Sequence, residues 1–116
     1  MKVFITGGNG GIGSAVKEMF INAGHQVIAP SSRDLDLSDL NALQQYLKDN
    51  PPAYDAVIHC AGYNPPLSVE DTSAQEFAKA ELINTTSLLE IVKFNSSYFK
   101  RRQKGYVVAI ASLYAS

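Results

Sequence analysis

Five of the eight glycines in this 116-residue chain fall within residues 6–13, Thr6-Gly7-Gly8-Asn9-Gly10-Gly11-Ile12-Gly13. What flanks them narrows the fold more than any other feature. Upstream is a short β-prone apolar run, Val3, Phe4 and Ile5. Downstream, Ile12, Ala15, Val16, Met19, Phe20 and Ala23 recur at the spacing of one helix face, with Gly24 as the expected stop. A strand, a glycine turn and an amphipathic helix in that order open a βαβ unit.

The rest of the chain continues the alternation. Val27, Ile28 and Ala29 predict a second strand, broken by Pro30, Ser31 and Ser32. Leu35, Asp36 and Leu37 predict a short third strand. Ser38 is the expected cap of a helix with Leu40, Leu43 and Leu47 on one face, ended at Asn50-Pro51-Pro52. Ala56-Val57-Ile58-His59-Cys60-Ala61 does not alternate, which predicts a strand buried on both faces. Asn64, Pro65 and Pro66 make a loop, and Ser73 with Glu76 has capping-box spacing before a helix running to about Phe99. Tyr106-Val107-Val108-Ala109-Ile110-Ala111 is a last candidate for a buried strand. The expected fold class is α/β: a Rossmann-like, doubly wound parallel sheet of about five strands with right-handed crossovers. It occupies one domain over residues 1–116.

Composition excludes several function classes. With 10 Lys and Arg against 11 Asp and Glu, the net charge of −1 argues against a nucleic-acid arm or a polybasic membrane anchor. The single cysteine, Cys60, excludes an internal disulfide framework and a cysteine-rich zinc site, so no metal is expected. No apolar run is long enough for a membrane span or a signal peptide, which makes the cytoplasm the expected compartment.

Chemistry enters through the glycine loop. A turn of this kind uses backbone angles barred to residues with a Cβ, and it lets the backbone approach a pyrophosphate closely. The following helix presents free N–H groups and the positive end of its dipole to the anion. Thr6, Gly7, Asn9, Gly10, Gly11, Ile12 and Gly13 are therefore expected to bind a dinucleotide. At these residues the chain resembles the short-chain dehydrogenase/reductase superfamily. The loop fits the shorter subfamily's TGxxxGxG as Thr6, Gly7, Gly11 and Gly13. It fits the longer subfamily's TGxxGxxG through Gly7, Gly10 and Gly13 equally well.

The residues after the second strand bear on the cofactor. An acid there bonds the ribose 2′-OH of NAD, whereas Arg or Ser suits the 2′-phosphate of NADP. Ser31, Ser32 and Arg33 favour NADP(H) over NAD(H), and the neighbouring Asp34 keeps NAD open. The resemblance places Asp36 and Leu37 at the adenine end. Asp39 is read as a helix N-terminal charge.

Further marks follow. His59-Cys60-Ala61-Gly62 resembles the family's Asn-Asn-Ala-Gly, with Ala61 and Gly62 matching and His59 and Cys60 departing. Cys60, Ala61 and Gly62 are expected to border the cofactor, and Cys60 to behave as a small hydrophobe. Asn84 falls where the family has a catalytic asparagine, and Ser112 on the catalytic serine that orients the substrate oxygen. Those later spacings favour the shorter subfamily. The short stretch between the second and third strands points instead to the longer one. Lys100, Arg101, Arg102 and Lys104 read as a solvated helix end.

The resemblance implies hydride transfer between a nicotinamide and a small carbonyl or alcohol, with a dimer or tetramer as the complete assembly. The family's tyrosine and lysine lie beyond Ser112, where only Leu113, Tyr114, Ala115 and Ser116 follow. The chain is accordingly expected to be the cofactor half of such an oxidoreductase, with Val107, Val108, Ala109, Ile110 and Ala111 an exposed edge. Two alternatives stay open: a non-catalytic NAD(P)-binding module or truncated remnant, and a sugar-nucleotide epimerase or reductase of the longer subfamily.

Overall fold

The computed structural model describes residues 1–63 and 68–110. The first apolar run lies in strand β1 (Lys2–Thr6), and the periodic segment after the glycines is helix α1 (Gly11–Asn22). Strand β2 (Gln26–Ile28), helix α2 (Leu40–Asp49) and strand β3 (Ala56–His59) follow. After a 3₁₀ turn (Val69–Asp71), one helical stretch divides into α3 (Ala74–Glu81), a π-helical segment (Leu82–Thr86) and α4 (Ser87–Arg102). Strand β4 (Tyr106–Ala109) ends the described chain. The four strands form one parallel sheet in the order β2-β1-β3-β4, with Phe4 beside both Ile28 and Val57, and Val57 beside Val107.

Alternation across the pleat gives β1 and β3 two buried faces. On one face Phe4 and Val57 pack with Leu35, Leu43, Leu47, Tyr54 and Ile91, beneath α2 and α4. Phe4 stacks on Tyr54 with ring centroids 4.7 Å apart. On the other face Val3, Ile5, Ala56 and Ile58 meet Val16 and Phe20 of α1. Each fully buried side chain of this size stabilises the fold by roughly 1.5–3 kcal/mol. β3 is buried along its whole length, as its unbroken apolar run predicts.

Three expectations are corrected. The third strand at Leu35, Asp36 and Leu37 does not form; those residues lie in turns between β2 and α2, and the described sheet has four strands rather than five. The cause is local. The Asp36 carboxylate accepts from the Ser38 backbone N–H at 2.9 Å and from its hydroxyl at 2.6 Å, folding the chain back on itself instead of leaving it extended for a ladder. Leu35 still serves the core, as a buried plug. The cap of α2 is Asp39, whose carboxylate accepts from the Ala42 N–H at 3.1 Å, and not Ser38, whose hydroxyl is committed to Asp36. Finally, β4 is exposed at every position despite its apolar run, because it is the sheet edge and no helix is packed over it among the described residues. The alternative expectation of an exposed edge is the one that holds for Val107, Val108, Ala109 and Ile110.

The α1 stripe is only partly used. Val16 and Phe20 reach the core, while Ile12 and Met19 stay 61% and 60% exposed. The helix lies against β1 and β2, too narrow a surface to cover the whole stripe. No described helix is long and apolar enough to cross a membrane.

Candidate functional site

From β1 the chain crosses to β2 on one side, and it later returns to β3 on the other. The strand order therefore reverses between β1 and β3, and loops leaving the two strand ends diverge to open a crevice. A cleft of about 370 Å³ lies there. Its walls are Thr6, Gly7, Gly8, Asn9 and Gly10 after β1, Pro30, Ser31 and Ser32 after β2, the turn residues Leu35, Asp36, Leu37 and Ser38, then Cys60, Ala61 and Gly62 after β3, and Ile83 of the π-helical segment.

Two glycines make this convergence sterically feasible. Gly7 adopts φ +68°, and a Cβ there would stand 2.5 Å from the Ala61 backbone nitrogen. A Cβ on Gly13 would stand 1.8 Å from the Gly7 carbonyl oxygen, so the first turn of α1 lies directly against the loop. The Gly10 N–H closes the turn onto the Gly7 carbonyl at 3.0 Å. Gly10 is also the N-cap of α1. It supplies no side-chain cap, and the first turn carries no acid. Helix geometry leaves the N–H groups of Gly11, Ile12 and Gly13 without intrahelical acceptors. The end of α1 that meets the cleft is thus electropositive and uncompensated.

At the opposite end, Ser31 and Ser32 line the wall, the Ser31 hydroxyl donates to the Asp34 carboxylate at 3.4 Å, and Arg33 is exposed beside them without lining the cleft. Among the described residues, Asp36 is the one carboxylate in the lining. Bonds from the Ser38 hydroxyl and N–H hold it below the usual carboxylate range, with a smaller contribution from the Lys79 charge.

The wall after β3 is held by a buried chain of hydrogen bonds. The Ala61 N–H donates to Thr6 Oγ1 at 3.2 Å. Thr6 Oγ1 lies 2.7 Å from His59 Nδ1, and His59 Nε2 lies 2.9 Å from the Ile83 carbonyl oxygen. A carbonyl can only accept, so Nε2 carries the ring proton and Nδ1 accepts from the Thr6 hydroxyl. Burial pushes the His59 pKa down, which keeps the ring neutral. Cys60 is partly buried, packs against the α1-side core and has its thiol pushed up by burial.

Asn84 is not in the cleft lining. Its side-chain oxygen accepts from the Tyr63 N–H at 2.8 Å, and its amide donates to the Tyr63 carbonyl at 2.9 Å. The Tyr63 hydroxyl in turn donates to Glu76, and Lys79 sits 4.4 Å from the Tyr63 ring centroid. Glu76 therefore does not complete a reciprocal capping box. Ser73 does cap α3, accepting from the Glu76 N–H at 3.1 Å.

The structure thus brings Thr6, Gly7, Asn9, Gly10, Ser31, Ser32, Asp36, Leu37, Cys60, Ala61 and Gly62 together around one cleft. Gly11, Ile12 and Gly13 form the first turn of α1 and are not in the cleft lining. Ser112, and the loop residues Asn64, Pro65 and Pro66, lie outside the described residues. Ile83, Gly8, Pro30, Leu35 and Ser38 also line the cleft and were not among the expected site residues. Ile83 had no legible signal, because only the packing of the π-helical segment brings it there.

Over residues 3–113 the chain matches the model of the NAD dependent epimerase/dehydratase family. The chain belongs to that family. The match agrees with the short-chain dehydrogenase/reductase resemblance of the glycine loop, and it names the longer-subfamily group to which the short β2–α2 stretch points. GDP-L-fucose synthase of Azorhizobium caulinodans is 41% identical over 61 residues, covering 53% of this chain and 19% of that protein. L-fucose dehydrogenase of Mus musculus is 28% identical over 132 aligned positions, covering 96% of this chain and 48% of that one. The solved structure of 4-hydroxyisoleucine dehydrogenase complexed with NADH has the same fold, with a TM-score of 0.82 at 24% identity, covering 97% of this chain and 56% of that chain. The chain spans about half the length of these relatives, or less.

Proposed function

We propose that this chain binds a nicotinamide dinucleotide and forms the cofactor half of a short-chain oxidoreductase that passes hydride between the nicotinamide and a small carbonyl or alcohol. The observation that carries the reading is the uncapped, acid-free N-terminus of α1 opening on the cleft between β1 and β3. A pyrophosphate there neutralises the helix end, and the absence of any Cβ on Gly7 and Gly13 lets the backbone close around it. Asp36 and Leu37 border the adenine. Cys60, Ala61 and Gly62 form the opposite wall. Ser112 orients the substrate oxygen, and Asn84 shapes the wall after β3. The nicotinamide, when bound, supplies or takes the hydride.

NADP(H) is favoured over NAD(H). Ser31 and Ser32 offer hydroxyls at the rim, no carboxylate from the segment directly after β2 lines the cleft, and Arg33 is free to bring its planar fork of donors to a 2′-phosphate. Fluorescence titration with NADPH and NADH tests both parts. Saturable binding is expected, tighter for NADPH, with the difference narrowed in Arg33→Ala. Absence of saturation with either nucleotide overturns the reading.

A second reading is a sugar-nucleotide epimerase or reductase, favoured by the family match and by the stretch shared with GDP-L-fucose synthase. Assaying NADPH oxidation by the gene product with a GDP-linked keto sugar against simple ketones separates the two.

A further inference from the structure

The turn of helix that carries Ile83 into the cleft wall is irregular. At Ser87 the backbone N–H bonds the Leu82 carbonyl, five residues back, instead of the Ile83 carbonyl four back. A π register of this kind is rare and costs the regular ladder a bond. Here the Ile83 carbonyl is taken up by two side chains: the Ser87 hydroxyl donates to it at 2.7 Å and His59 Nε2 at 2.9 Å. Both side chains are buried, Ser87 fully and His59 to within 2%. The other ring nitrogen of His59 engages Thr6, the residue from which the glycine loop departs.

We propose that His59 is a positioning residue which, together with Ser87, holds the helix in its π register and so sets Ile83 in the cleft wall and Asn84 against Tyr63. A buried carbonyl that loses both side-chain donors must recover a backbone donor, and the nearest is the residue 87 N–H in the ordinary α register. That switch rotates everything N-terminal to Ser87 by about one residue, roughly 100° on a helix of 3.6 residues per turn. Ile83 then leaves the cleft wall and Asn84 leaves Tyr63. The irregular helix is therefore tied to the end of β1 through a single imidazole. The last step, from wall position to nucleotide affinity, rests on the function proposed above.

The two arms of His59 can be cut separately. The Oδ1 of Asn overlays the imidazole Nδ1, so His59→Asn keeps an acceptor for Thr6 but cannot reach Ile83. The Nε2 of Gln overlays the imidazole Nε2, so His59→Gln keeps a donor to Ile83 and loses the Thr6 contact. The acceptor of the residue 87 amide is read by scalar coupling across the hydrogen bond in NMR spectra of the 116-residue chain. Leu82 is expected as acceptor in the unsubstituted chain and in His59→Gln, and Ile83 in the double variant His59→Asn with Ser87→Ala. The ¹⁵N spectrum of the unsubstituted chain at neutral pH is expected to show His59 protonated at Nε2 only, a readout that needs no variant to fold. The double variant is expected to weaken NADPH binding about tenfold, the worth of a buried hydrogen bond, and His59→Gln to keep most of the affinity. A ring protonated at Nδ1, or Leu82 kept as acceptor in the double variant, overturns the proposal. Failure of the unsubstituted chain to bind NADPH removes the nucleotide reading while the tautomer and the acceptor still decide this one.

Discussion

Asn84 holds Tyr63 by both of its backbone groups, accepting from the N–H at 2.8 Å and donating to the carbonyl at 2.9 Å. Three turns further along the same helical stretch, Asn95 does the same to Tyr54, at 2.9 and 3.1 Å. Tyr54 precedes β3 and Tyr63 follows it, so two asparagines pin both ends of the central strand segment to one helix. An asparagine side chain is suited to this, since its amide carries one donor and one acceptor side by side, as an extended backbone does.

The two clamps are expected to differ in what they protect. Asn95 is fully buried, and Asn95→Ala strands a buried donor and a buried acceptor, so it is expected to cost about 2–4 kcal/mol. The same change at half-buried Asn84 is expected to cost about 1 kcal/mol, because water can reach the Tyr63 backbone. NADPH affinity should move the other way: weakened in Asn84→Ala, unchanged in the folded fraction of Asn95→Ala. Urea midpoints with parallel nucleotide titrations check this, and a larger stability loss at Asn84 contradicts it.

The glycines of the loop separate fold from function. Gly13→Ala drives a methyl into the Gly7 carbonyl and is expected to lose both stability and nucleotide binding. Around Gly11 a Cβ meets nothing within 4 Å. Gly11→Asp is therefore expected to fold, and a carboxylate in an acid-free first turn stabilises the helix by about 0.3–1 kcal/mol. That carboxylate repels the phosphates the helix end is proposed to hold, and NADPH affinity should fall at least about tenfold. A melting temperature that holds or rises while binding collapses is the expected signature, and retained binding contradicts the loop assignment.

His59 gives the fold a mild acid sensitivity. Burial lowers its pKa in the folded protein below the unfolded value of 6.5. Above that pH both states are neutral at this ring, and it has no effect on stability. As pH falls below 6.5 the unfolded chain takes up the proton while the folded one resists, so stability drops by at most about 1.4 kcal/mol per pH unit until the folded pKa is passed. Asp36, held low by Ser38, and Asp55, held low by the Lys2 N–H, keep their contributions until the pH falls toward and below their ordinary value of 3.8. Chemical denaturation between neutral pH and about pH 5 is expected to show the histidine slope in the unsubstituted chain and its loss in His59→Gln.

Among the described residues β4 presents an unpaired, apolar edge, with Val107 and Val108 47% and 45% exposed. Such an edge templates pairing between molecules. Val107→Lys or Val108→Lys is expected to reduce concentration-dependent light scattering without lowering the urea midpoint by more than about 1 kcal/mol, the scale of a surface change. Unchanged scattering in both variants places association elsewhere.

Local chemistry explains why so much of this protein could be read from residues alone. The glycine turn, the apolar runs of β1 and β3, and the α1 and α2 periodicities depend on neighbours in the chain, and all lie where their patterns put them. The loop residues meet Cys60, Ala61 and Gly62 because the order β2-β1-β3 brings the C-terminal ends of β1 and β3 side by side in the parallel sheet. Competing local hydrogen bonds, and then tertiary packing, decided the rest. Leu35, Asp36 and Leu37 have the alternation of a strand, yet a three-residue alternation is worth less than two hydrogen bonds from Ser38 to Asp36 and a leucine in the core. The last apolar run is a strand whose burial depends on what covers it. Ile83 reaches the cleft, and Asn84 reaches Tyr63, only because His59 and Ser87 take up a carbonyl and hold a helix out of its regular register. That bond joins residues 24 apart in the chain, and a spacing pattern carries no record of which distant donor will satisfy a buried acceptor.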